Sequence, residues 1–233
     1  TLSSSSAASD VYKRQDLGLM SADDQLGEDL NKLFNQLSGF APQYSYERLL
    51  VAPRTIRSGL LERINREIDN KKAGKHAFIR LKLNSLLDEE FVEALYAASI
   101  AGVEIDLVVR GICSLLPGIP GVSENIRVRS VLGRFLEHSR IFHFANGGDD
   151  EIYIGSADLM DRNLNRRVES LVRITRAEHK KALVKAFDLY VSSTTSGWHL
   201  LPTGKWLRVA QNPDASPMND LQEVMIDSYR VHQ

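Results

Sequence analysis

Apolar positions recur along this chain with two alternating periods, and each switch of period marks a change of element. Leu26, Leu30, Leu33 and Leu37 fall at helical spacing and predict a helix over 21–37. Ser21 is placed to cap it, Asp23 and Asp24 suit the positive end of its dipole, and Gly39 stops it. The run Leu49-Leu50-Val51-Ala52 predicts a short buried strand, ended by Pro53. Ile56, Leu60, Leu61, Ile64 and Ile68 return to helical spacing as far as Gly74. Ala77, Ile79, Leu81 and Leu83 then alternate with Phe78, Arg80, Lys82 and Asn84, the pattern of a strand with a polar end. Asp88 caps a helix with Phe91, Val92, Leu95 and Ala98 on one face, and Gly102 closes it. Val103, Ile105, Leu107 and Val109 form the next strand, ending at Arg110. This order has connections long enough for parallel crossovers, and predicts an α/β layered domain with a mixed, largely parallel sheet flanked by helices. Ligands of such sheets bind beyond the carboxyl ends of strands. Lys82, Asn84 and Arg110 fall at such ends.

The second half is more broken. A loop over 114–125 carries Pro117, Gly118, Pro120 and Gly121. Strands are expected over 126–132, 140–144, 151–154 and 168–174, with a turn at Asn146-Gly147-Gly148-Asp149-Asp150. Ala182, Leu183, Ala186, Phe187 and Tyr190 mark one face of a helix over 178–190. A short hairpin around Thr203-Gly204 and a helix from about Asn219 complete the pattern.

Composition narrows the function classes. The 233 residues suffice for one large domain, or one domain and a fragment. A net charge of −1 gives no global field to attract nucleic acid or an anionic membrane. Cys113 stands alone, so it forms no internal disulfide; it reads as a small buried apolar residue in a reducing, cytoplasmic setting. No apolar run is long enough to span a bilayer. Residues 1–15, TLSSSSAASDVYKRQ, have no burying periodicity. They resemble a translated sequencing adaptor and are read as non-native and disordered, with the natural protein expected to continue upstream of Asp16.

The chemistry concentrates in Gly133-Arg134-Phe135-Leu136-Glu137-His138-Ser139-Arg140 and in Gly155-Ser156-Ala157-Asp158. In an extended chain, side chains two apart share a face, so His138 and Arg140 point the same way. A histidine can carry a proton or a phosphoryl group, and a guanidinium can fork phosphate oxygens. His143, of opposite parity, reads as a packed structural histidine. Nine arginines lie between Arg110 and Arg173, and no lysine occurs from Leu83 to His179. Eight acids share the 110–173 stretch, so the bias is in the kind of cation and not its amount. Arginine holds planar oxyanions bidentately and never loses its charge. Arg127 and Arg129 read as the outer face of a strand, and Arg166 and Arg167 as an ion-pair network with Glu169. Arg110, Arg134, Arg140 and Arg162 are the better phosphate candidates.

Long strings carry a more specific signal. VEIDLVVRGICSLLPGIPGVSENIRVRSVLGRFLEHSRIFHF, YIGSADLMDRNLNRRVES, AFIRLKLNSLLDEEFVEALYAASIAGV and DLGLM resemble the C-terminal region of the first family of bacterial polyphosphate kinases. The resemblance implies a phospholipase-D-like fold, with residues 16–48 as the end of one such module plus a linker and 49–233 as a second. It implies reversible transfer of the γ-phosphate of ATP to inorganic polyphosphate through a phosphohistidine that lies upstream of Asp16. By match to the VRGIC and FLEHSR motifs, Arg110 and His138 would contact nucleotide phosphate, with His138 catalytic. Lys82, Asn84, Arg134, Arg140, Asp158, Arg162 and Asn163 would be further phosphate contacts. Magnesium would arrive with ATP, its ligands lying outside this stretch. The partners implied are ATP, ADP and polyphosphate, with no nucleic acid. A homo-oligomer is expected for the full-length protein, in the cytoplasm or peripheral to the inner membrane. The H-x-K…GSxN pattern of phospholipase D is only partly kept: Arg140 replaces the lysine, and Asp158 stands where asparagine would be. The alternatives are a phospholipase-D-like phosphodiesterase and, for the isolated chain, a noncatalytic phosphate-binding module.

Overall fold

The computed structural model describes residues 16–39 and 45–230. The expectations for 1–15 and for part of the linker, 40–44, lie outside the described residues. Helix α1 (Asp24–Leu37) leads into β1 (Leu49–Ala52), α2 (Ile56–Lys72), β2 (Phe78–Leu83), α3 (Glu89–Ile100) and β3 (Glu104–Val109). Strands β4 (Ile126–Ser130), β5 (Arg140–Phe144), β6 (Glu151–Gly155) and β7 (Glu169–Ile174) follow. Helix α4 (Ala177–Val191), the hairpin β8 (Gly197–Leu200) and β9 (Trp206–Val209), and α5 (Leu221–Arg230) complete the order.

Among the described residues the nine strands form one sheet, ordered β1-β7-β6-β5-β2-β3-β4-β8-β9. The alternating apolar residues of β2 and β3 put Ile79, Leu81, Leu83, Ile105, Leu107 and Val109 into one core. Ile56, Leu60 and Ile64 of α2 and Phe91, Leu95 and Ala98 of α3 cover it. Each such fully buried side chain contributes roughly 1.5–3 kcal/mol. On the opposite face, Phe187 and Tyr190 of α4 and Leu221 of α5 pack with Val108 and Val131. Helices therefore flank a mixed sheet on both faces, as expected.

Three expectations are corrected. The parallel part is small: β2-β3 and β3-β4 are parallel, and every other neighbouring pair is antiparallel. Strand β1 does not cross over to lie beside β2. It pairs antiparallel with β7 at the sheet edge, leaving β7, β6 and β5 between them. Element order along a chain does not settle adjacency, and the four-residue β1 finds its ladder with Glu169–Val172. The cap of α1 is Asp23, which accepts from the Leu26 N–H at 2.9 Å, while Ser21 accepts from the Asp23 N–H. Helix α1 is docked on β1. The buried carboxylate of Asp29 accepts from the N–H groups of Glu47 (2.8 Å) and Arg48 (2.7 Å), and Leu33 packs with Leu49 and Val51.

Several minor readings agree with the structure. His143 is buried, bonded through Nε2 to Asp150 at 2.9 Å and edge-on to Phe78, and burial pushes its imidazole pKa down. Arg127 pairs with Asp106, and Arg129 donates to the Ser192 carbonyl. The expected network of Arg166 and Arg167 with Glu169 is not what forms: Arg166 pairs with Asp161, and Glu169 accepts from Asn163.

Candidate phosphate site at the sheet end

The carboxyl ends of β2, β3 and β6 meet the amino end of β5 at one end of the sheet. Register sets this, since Lys82 is paired with Val108 and with Ile141, and Arg140 with Gly155. Gly155 is required there: a Cβ on it would lie 2.0 Å from the Ser170 carbonyl oxygen. The glycine lets β6 and β7 approach, and the chain then turns to place Asp158 beneath the tip of β2.

Asp158 organises the site. Its Oδ1 accepts from the N–H groups of Asn84 (2.7 Å) and Ser85 (3.1 Å) and from Nε of Arg140 (3.2 Å). Its Oδ2 accepts from Nη2 of Arg140 at 2.7 Å. An asparagine has one acceptor oxygen and could not take this load. The two departures from the H-x-K…GSxN pattern are thus one coupled change: a carboxylate at 158 answers a guanidinium at 140. The remaining nitrogen of Arg140, Nη1, donates to the His138 carbonyl at 2.5 Å and contacts Nδ1 of the same residue. Guanidinium can only donate, so Nδ1 is the acceptor in that contact. Arg140 is 4% exposed, and each of its three side-chain nitrogens is bonded inside the protein.

Arg110, at the tip of β3, leans on Asn84 at the tip of β2: its Nε donates to Asn84 Oδ1 at 2.9 Å. That contact orients the amide, because the atom facing a donor must be the oxygen. Asn84 Nδ2 is then buried without a partner among the described residues. A buried donor left unmet costs about 1–3 kcal/mol, a cost that a ligand acceptor would remove. Among the described residues Arg110 forms no ion pair. It lines a cavity of about 160 Å³ with Val131–Glu137, including the exposed Arg134. His138 does not line that cavity; it joins Arg110 through Arg140, Asp158 and Asn84.

Lys82 is turned inward. Its Nζ donates to Ser139 Oγ at 2.7 Å and to the Ser139 carbonyl at 3.2 Å, lies 3.2 Å from Glu137 Oε2 and 3.9 Å from Asp16 Oδ2, and faces the Tyr190 ring. Burial lowers its pKa, against the opposing pull of Glu137 and Asp16. Asn163, in the turn Arg162–Arg166, is buried and donates to Glu169 Oε1 at 2.7 Å; Arg162 is exposed on the same turn. Lys82, Arg140, Asp158 and Asn163 are each less than a tenth exposed, and each has a side-chain hydrogen bond inside the protein. The sequence reading missed Glu137, Ser139, Tyr190 and Gln222, which hold the same end together. Glu137 and Ser139 flank His138 in the motif, but nothing in the local pattern marks Tyr190 or Gln222.

Residues 49–220 match the family model described as polyphosphate kinase C-terminal domain 2. The chain is 54% identical over 216 residues to a polyphosphate kinase of Streptomyces coelicolor, covering 93% of this chain and 29% of that protein. It is 50% identical over 202 residues to a polyphosphate kinase of Synechocystis, covering 87% and 27%. The crystal structure of polyphosphate kinase from Porphyromonas gingivalis superposes with a TM-score of 0.85 at 34% identity, over 91% of this chain and 32% of that one. The chain thus spans under a third of the length of these relatives. With three-quarters of its residues inside the family match and its strand-tip site within those bounds, the chain belongs to the polyphosphate kinase family as its second C-terminal domain.

Proposed function

We propose that this chain supplies the phosphate-gripping half of an ATP:polyphosphate phosphotransferase. Arg110 clamps phosphate oxygens, and Asn84 Nδ2 donates to one of them. His138 donates from Nε2 to the transferring or leaving oxygen. The attacking histidine belongs to sequence upstream of Asp16, and the substrates are ATP or ADP and inorganic polyphosphate. Phosphoryl transfer asks little covalent work of such a half site beyond position and charge. The observation that carries this reading is the unspent donor pair at one strand end: Arg110 faces an amide instead of a carboxylate, and the Asn84 amide nitrogen is buried and unmet.

Magnesium enters with the nucleotide. The carboxylates at this end are engaged with Arg140 and Lys82, so the described residues do not form a site for it, and no step is routed through the metal. A phosphodiesterase reading fits less well, because the residue standing in place of the phospholipase D lysine is locked on Asp158. Among the described residues no helix is long and apolar enough to cross a membrane. The −1 net charge gives this stretch no global field for nucleic acid, and the same reading takes the full-length protein as cytoplasmic and homo-oligomeric.

The test is His138→Ala and Arg110→Ala in the full-length protein. Each should lower polyphosphate synthesis by about 10²–10³-fold, the usual cost of one lost electrostatic contact. Near-normal synthesis by both ends the reading. The chain alone should bind inorganic tripolyphosphate, more weakly as salt rises, and take up no labelled phosphate from ATP.

A further inference from the structure

The connection from β4 to β5, Val131–Ser139, carries Arg134 and His138 and has no regular structure of its own. Hydrophobic burial holds it only at Val131, since Leu132, Phe135 and Leu136 are all exposed. Fixing a free backbone has an entropic cost at every residue, so something else must order the rest.

A side chain from the last helix does. Gln222, in the first turn of α5, uses both ends of its amide on one residue. Oε1 accepts from the Phe135 N–H at 2.8 Å, and Nε2 donates to the Phe135 carbonyl at 2.9 Å. A neighbouring strand would offer the same pair of bonds, so the amide stands in for a missing ladder partner. Nε2 also donates to Glu137 Oε1 at 3.0 Å. The other oxygen of Glu137 accepts from the Tyr190 hydroxyl and lies 3.2 Å from Lys82 Nζ, which reaches on to Ser139. Gln222, Glu137, Tyr190 and Lys82 are each less than a tenth exposed. Gly133 completes the seat: a Cβ there would meet Gln222 Cδ at 2.4 Å. The residues on both sides of His138 are thus gripped by groups from β2, α4 and α5. Gln222 itself lies just past the family match, which ends at 220.

We propose that Gln222 is a positioning residue of the phosphate site, setting through Phe135 and Glu137 the loop that faces Arg110 and carries His138. It touches no substrate, and its role rests on the reading of that site given above.

Two measurements on the full 233-residue chain test this: hydrogen exchange at the Phe135 amide and affinity for inorganic tripolyphosphate. In the unmodified chain the Phe135 amide is protected. Gln222→Met keeps the length and loses both bonds, so exchange at Phe135 should quicken tenfold or more and tripolyphosphate affinity should fall about five- to tenfold. Amides of β2 and β3 keep their protection, which separates a loosened loop from a loosened fold. Gly133→Ala pushes the amide off its seat and should produce the same two changes. An unprotected Phe135 amide in the unmodified chain overturns the proposal without any variant. Unchanged affinity in Gln222→Met overturns it also. Failure of the unmodified chain to bind tripolyphosphate overturns instead the site reading beneath it, a distinguishable result.

Discussion

The two ends of β6 make an instructive pair, because each gathers arginines around buried carboxylate. At the Glu151 end, one carboxylate meets Arg63 at 3.0 Å, Arg66 at 2.7 Å and Arg173 at 3.4 Å, and accepts from the Tyr153 hydroxyl at 2.7 Å. Burial alone would raise the Glu151 pKa. The Tyr153 hydrogen bond and the charges of Arg63 and Arg66 outweigh it and hold the carboxyl at about 2. At the Gly155 end, Arg140 is equally spent on Asp158, and Lys82 on Glu137 and Ser139. Arg110 is the exception, set against a neutral amide. Guanidiniums thus serve structure at both ends, and of these Arg110 alone meets a neutral side-chain amide, the contact on which the proposed phosphate role rests. What separates them is whether the fold supplies a counter-charge.

The comparison can be broken or sharpened in order of expected effect. Glu151→Gln should be the most damaging change, costing about 3–5 kcal/mol in a denaturant titration, because it strands a buried arginine cluster. A loss under about 1 kcal/mol would show that end to be ordinary surface pairing. Asp158→Asn should cost about 3 kcal/mol and also release Arg140 from His138, read as a changed His138 imidazole signal by NMR. Arg110→Ala should do the reverse, changing stability by about 0.5 kcal/mol or less while tripolyphosphate affinity drops about tenfold or more. A stability loss as large as that of Asp158→Asn would erase the distinction between the ends.

The smallest and most gradual effect is with pH. The Glu151 carboxyl sits at about 2 in the folded chain, against an ordinary value of 4.5. The unfolded state therefore takes up a proton first as pH falls. This stabilisation is complete above the ordinary carboxylate range and is lost as pH drops from about 5 through 2. Denaturant midpoints over that window should fall more steeply for the unmodified chain than for Glu151→Gln. Parallel slopes would contradict the assignment.

Much of the fold was legible because its elements obey local periods. The alternation across Phe78–Leu83 and the helical spacing from Ile56 are what the structure contains, with boundaries moved by a residue or two. The α1 cap was misread by two residues, since Ser21 and Asp23 are both good cap types and only the backbone geometry chooses between them. At the site, Arg110 and Asn84, named from strand ends, meet directly, whereas His138, named from its motif, reaches them through Arg140 and Asp158. Lys82, Arg140, Asp158 and Asn163 were named on the same grounds, and each bonds to a partner inside the protein that the local pattern does not mark. Gln222 could not have been named: its partner Phe135 is 87 residues away in sequence.

By itself the sequence determined the element types, the family and the motif that holds His138, since these depend on short-range pattern and on matched strings. The tertiary structure alone decided where β1 pairs, which arginines receive a carboxylate, and that a glutamine of the last helix seats the His138 loop. Those outcomes depend on pairings between residues far apart in the chain, where register and counter-charge are set by the whole sheet and leave no local period to read.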